Sequence, residues 1–206
     1  MNTSITVLGA AFAFLAGCSA CAADTNTPSC CVHTATVAPT GLADKSLFQV
    51  ESKWTTDAGK LIKLGELEGR PQVVAMFFAH CQYACPIIVN DMKRIEASLM
   101  PELRARVRFT LVSFDTKRDT PAALAAYRGT HALSADNWTL LHGEPDDVLE
   151  LAALLGVKFK EDANGQFSHS NVITVLNSQG EIVLQQVGLS QDIRETVRLL
   201  QTLAPK

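Results

Sequence analysis

Two cysteines four positions apart, Cys81 and Cys85, stand in Phe77-Phe78-Ala79-His80-Cys81-Gln82-Tyr83-Ala84-Cys85-Pro86. Thiols this close have two uses. They can close and open a disulfide, exchanging two electrons with another dithiol. Reduced, they can share a soft metal ion such as Cu(I), for which sulfur is a preferred ligand and which an imidazole can complete. The chain offers five histidines. His169 is the best candidate, because it follows a turn and opens the apolar stretch 168–176. His80 adjoins Cys81, but neighbouring side chains in extended backbone point apart. His131 and His142 fall near helix and strand ends and suit capping or surface roles. A second group, Cys30, Cys31 and His33, reads either as incidental linker residues or as another soft-metal or thiol site.

The elements that must position these groups follow from periodicity. Residues 73–78 form a short apolar run bounded by Pro71 and rich in β-branched and aromatic side chains, the pattern of a fully buried strand. Pro86 suits the start of a helix. Ile87, Ile88, Met92, Ile95 and Leu99 then recur at helical spacing to about Met100, where Pro101 is expected to stop the helix. The thiols therefore fall on a strand-to-helix loop at the carboxyl end of a central strand, where open α/β sheets place their chemistry.

Around this unit the sequence predicts short strands at 48–51, 54–55 and 61–62, with a hairpin turn at 57–60. A strand follows at 106–114, then a loop at 115–119. A helix starts at Pro121, with Asp119 or Thr120 as its N-cap, and runs to Gly129. A strand at 138–141, a helix from Pro145 to Gly156, a strand and turn at 157–166, a strand at 168–176, a strand at 181–187 and a closing helix at 193–203 complete the chain. This order gives an α/β sandwich, a central mixed sheet flanked by helices with an added N-terminal β-hairpin. A cysteine pair at the first strand–helix junction makes it thioredoxin-like.

The 206 residues, 47% hydrophobic and 19% charged, suffice for one domain with a tail. The net charge is −3 and no long basic run exists, which argues against a nucleic-acid partner. The first 23 residues carry no charged side chain, and 7–17 is an apolar run too short to span a bilayer. Leu15-Ala16-Gly17-Cys18 resembles the lipobox of bacterial lipoproteins, in which the cysteine is lipidated and becomes the new N-terminus. The rival readings are cleavage near Ala20-Cys21-Ala22 and an uncleaved anchor. The expected organisation is a signal peptide and lipobox at 1–23, a flexible tether at 24–45, and a domain at 46–206 on the periplasmic face of a membrane. With Cys18 lipidated, the remaining five of six cysteines make a poor disulfide scaffold.

The sequence resembles the Sco (SenC-type) family of copper chaperones over about residues 46–203. The matching pieces are Phe77 to Pro86, the loop Ser113-Phe114-Asp115-Thr116-Lys117-Arg118-Asp119-Thr120-Pro121, and Phe167-Ser168-His169-Ser170. The resemblance implies that Cys81, Cys85 and His169 bind one copper ion, as Cu(I) or Cu(II). It implies that Asp115 and Arg118-Asp119 support the site or form a docking surface. Ser168 stands where the family often has an aspartate, so the task of orienting the imidazole would pass to Asp115. Trp54 and Trp138 read as packing residues, and Tyr83 as a possible shield over the metal. The implied function is that of a membrane-tethered metallochaperone delivering copper to a respiratory oxidase centre of the CuA type. Another periplasmic copper donor or a thiol reductant is a further expected partner. The alternative is a thiol–disulfide oxidoreductase that keeps a client's copper-binding cysteines reduced.

Overall fold

The computed structural model describes residues 45–204. The expected signal peptide, Cys18, and the group Cys30, Cys31 and His33 lie outside the described residues. The strands are β1 (Lys53–Thr56), β2 (Leu61–Lys63), β3 (Gln72–Phe77), β4 (Arg108–Ser113), β5 (Trp138–Gly143), β6 (Phe159–Glu161), β7 (Phe167–His169), β8 (Val172–Leu176) and β9 (Ile182–Val187). The helices are α1 (Ala84–Ser98), α2 (Pro101–Arg104), α3 (Pro121–Thr130), α4 (Pro145–Leu154) and α5 (Arg194–Leu203).

Seven strands form one sheet in the order β2-β1-β5-β4-β3-β8-β9. β3 pairs in parallel with β4, and β4 with β5, while β1, β8 and β9 join antiparallel. Parallel neighbours require a crossover, and α1 and α3 supply the two. β3 is buried along its whole length, as a strand covered on both faces must be. Phe77 faces Tyr127 of α3, with ring centroids 5.0 Å apart. On the opposite face, Val74, Thr110 and Val112 line a small cavity with Phe48, Leu64 and Leu151 of α4. The sheet therefore lies between two helical layers, the thioredoxin-like arrangement. Trp54 and Trp138 are buried core residues, as expected. Among the described residues no helix is long and apolar enough to cross a membrane.

Four local readings need correction. Residues 48–51 are not a strand: Leu47–Gln49 is a 3-10 turn, because the Ser46 hydroxyl accepts the Phe48 N–H at 3.1 Å and closes the chain on itself. α1 begins at Ala84, so Cys85 and Pro86 both lie in its first turn. A proline fits there because the first N–H groups of a helix have no partner within it. Pro101 opens α2 rather than stopping α1; α1 ends at Ser98, where the Arg104 side chain donates to the carbonyls of Glu96 and Leu99. Residues 168–176 are two strands, not one: β7 pairs with β6 in a separate two-stranded sheet, and β8 lies in the main sheet. His169 ends the first of these strands instead of beginning the second.

Candidate metal centre

β3 ends at Phe77, and the chain turns through Ala79 and His80, with the Cys81 N–H bonded to the Phe78 carbonyl at 3.2 Å. α1 has no side-chain cap at Tyr83. Instead the free Cys85 N–H of its first turn points at Cys81 Sγ, 3.3 Å away. Cys81 thus takes the place of a capping oxygen at the start of the helix. Cys81 is half-buried, whereas Cys85 is fully buried. Burial pushes the Cys85 thiol strongly up from its ordinary value. Both cysteines are free thiols.

The β6–β7 hairpin carries His169 to the same place. Cys85 Sγ lies 3.6 Å from His169 Nε2, and Cys81 Sγ, Cys85 Sγ and a ring nitrogen of His169 all fall within 4.8 Å of one another. His169 Nδ1 lies 3.1 Å from the Ser170 carbonyl, which can only accept, so Nδ1 donates there and Nε2 faces the sulfur. The ring packs against Phe114 at 5.1 Å and meets Phe78 edge-on at 6.2 Å. Phe159 stacks on Phe114 at 5.0 Å and Phe167 tilts against Phe78, which closes an aromatic wall behind the imidazole. Two sulfurs and one imidazole nitrogen converging on a half-open pole are the ligand chemistry of a soft metal ion.

The surrounding residues do other work than expected. Asp115 does not orient His169; the Ser170 carbonyl does. Asp115 is buried, accepts the backbone N–H groups of Lys117 and Arg118, and pairs with the Arg118 side chain. Arg118 in turn donates to the Gly165 carbonyl at the tip of the β6–β7 hairpin and lies over the Phe78 and Phe167 rings at 6.0 and 5.8 Å. Arg118 is therefore the brace between the β4–α3 loop and the segment bearing His169. The N-cap of α3 is Thr120, which frees Asp119. Asp119 Oδ2 accepts from the Ala79 N–H at 2.8 Å and from the Ser113 hydroxyl at 2.6 Å, tying the thiol loop to β4. Sequence reading did not single out this anchor: its partner Ala79 is a backbone group 40 positions away. Tyr83 is 83% exposed and shields nothing. His80 turns away from the thiols towards Asp119.

The SCO1/SenC family model matches residues 42–204. A Stutzerimonas stutzeri protein, provisionally named as copper-binding, is 25% identical over 120 residues, which make up 56% of this chain and 57% of that relative. The chain thus aligns to little more than half the length of that curated relative. A SCO1/SenC family lipoprotein from Bacillus anthracis superposes with a TM-score of 0.69 at 23% identity, covering 77% of this chain and 96% of its own. Copper-bound ScoI from Bradyrhizobium japonicum gives 0.60 at 21% identity, covering 74% and 96%. BsSco, described as a member of the Sco family of cytochrome c oxidase assembly proteins, gives 0.61 at 24% identity, covering 73% and 91%. At these identities the structural likeness establishes the fold.

Proposed function

The chain belongs to the SCO1/SenC family, and on that premise we propose that it is a copper metallochaperone whose cargo ion is held by Cys81, Cys85 and His169. The observation that carries this reading is the convergence of two sulfurs with an imidazole nitrogen whose ring is held from behind by the Ser170 carbonyl. The copper-bound Bradyrhizobium relative supports copper as the cargo. Ligation requires each thiol as thiolate and the imidazole with a bare nitrogen, so binding competes with protons. The half-buried Cys81 lies open to a client's ligands, so release by ligand exchange begins there. In the proposed setting Cys18 is lipidated, residues 24–45 tether the domain to a periplasmic membrane face, and the client is a respiratory oxidase centre of the CuA type. The description of BsSco as an oxidase assembly protein supports that client, and the lipoprotein nature of the Bacillus anthracis relative supports the anchor.

A second reading is favoured by the inequality of the two thiols. Cys81 is half-exposed with a helix amide on its sulfur, and Cys85 is buried behind it. In thiol–disulfide exchange Cys81 thiolate attacks a client disulfide, Cys85 resolves the mixed disulfide, and two electrons and two protons pass to the client. Copper titration of the reduced protein separates the readings. The metallochaperone reading expects one tightly bound ion at the Cys81–Cys85–His169 centre and at least tenfold weaker binding in His169→Ala. Unchanged binding in that variant, with reductase activity intact, would leave only the exchanger.

A further inference from the structure

His80 Nδ1, Asp115 and Asp119 each offer a ligand atom, and these atoms lie within 4.8 Å of one another. The group is unlike a chance cluster of surface carboxylates, because Asp115 and Asp119 are 1% and 0% exposed. Asp119 Oδ2 is fully used by Ala79 and Ser113, but Oδ1 is buried without a hydrogen-bond partner among the described residues. That oxygen faces His80 Nδ1 at 3.4 Å, close enough for an ion pair but without hydrogen-bond alignment. A buried carboxylate oxygen left bare is costly, and such a group calls for a water, a proton or an ion. His80, with its side chain 54% exposed, stands at the solvent mouth.

The charge balance also fits a cation. Two carboxylates face one guanidinium, Arg118, which is already held by Asp115, Gly165 and the aromatic rings. Counted by residue type, the set holds one more acidic group than guanidinium groups. A metal bonded at about 2.0–2.2 Å holds its ligand atoms roughly 3–4 Å apart, so the present spacing needs only small side-chain adjustment. Ligating carboxylates are normally hydrogen-bonded as well, as both of these are. One imidazole and two carboxylates suit a borderline divalent transition metal, with Cu(II) bound tightest in the first-row order.

We propose that His80, Asp115 and Asp119 form a second, nitrogen–oxygen cation site for a divalent transition metal, Cu(II) foremost, set beside the sulfur centre. The two sites differ in kind. Sulfur selects the soft monovalent ion, and the carboxylate pair selects the harder divalent one. They share one loop, since His80 directly precedes Cys81. The proposal does not depend on the metallochaperone reading.

The test uses the full chain with its thiols first saturated by Ag(I), which also protects them from oxidation. The silver uptake counts every reduced thiol of the chain, and the part of it lost in Cys81→Ser with Cys85→Ser reads the sulfur centre separately. Cu(II) is then titrated and followed by paramagnetic resonance. One ion per chain with nitrogen–oxygen ligation is expected, bound at least tenfold more weakly in His80→Ala, a surface change that leaves the fold intact. Asp119→Asn should lower affinity too, and circular dichroism will establish that this variant is folded. Failure to retain Cu(II), or equal binding in His80→Ala, overturns the proposal and identifies the pair as an ordinary His80–Asp119 contact.

Discussion

Cys85 must lose its proton before it can ligate, and its burial opposes that loss. Copper therefore competes with a proton at this sulfur throughout the neutral range. Cu(I) affinity should rise with pH by about tenfold per unit for each thiol still protonated, which competition against a chelator at several pH values will read. A flat profile would mean that the thiols are ionised beforehand. The same shift bears on stability. The ordinary thiol value is 9.0, and the folded value lies above it. Above that pH the unfolded chain ionises its Cys85 while the folded chain cannot, so stability is fully present below 9.0 and is lost as pH rises beyond it. Denaturation of the reduced protein should show this alkaline decline, and Cys85→Ala should flatten it.

Arg118 and the β6–β7 hairpin set the behaviour of the site at the scale of elements. The hairpin's strands pair with each other outside the main sheet, so its hold on the body comes from aromatic packing, the Arg118 brace and the Lys117–Glu161 ion pair. Arg118→Met should speed amide exchange within Phe159–Glu161 and Phe167–His169 and weaken copper binding about tenfold, while leaving β3 and β4 protected. Gly143 marks a different limit. A Cβ there would come within 2.5 Å of the Trp54 ring, so Gly143→Ala should cost about 1–3 kcal/mol in denaturant unfolding. Much of this architecture was legible beforehand. Val73 to Phe78, Thr120-Pro121 and the hairpin around Gly59 carry local signals of strand, helix start and turn, and each forms as expected. What escaped reading was decided by distant partners. The break between β7 and β8 falls where Ser170 donates its N–H to the Lys158 carbonyl across the hairpin, a contact invisible in a continuous stretch of strand-formers. The site residues were legible by type, and only the fold supplied Ser170 and Asp119 as their supports.

For the molecule as a whole, ligand binding and folding are coupled. A metal ion at about one hundred times its dissociation constant stabilises the folded state by about 2.7 kcal/mol. For a chain of this size that is a melting increase of roughly 5–10 °C. Calorimetry should find it in the wild-type chain with Cu(I), and find most of it gone in His169→Ala. Cys85 and His169 are 84 positions apart, and the fold brings them together. An unfolded chain holds these three donors at no fixed spacing. Tight copper binding is thereby a report on folding: only a copy that has reached its final form offers all three donors at once.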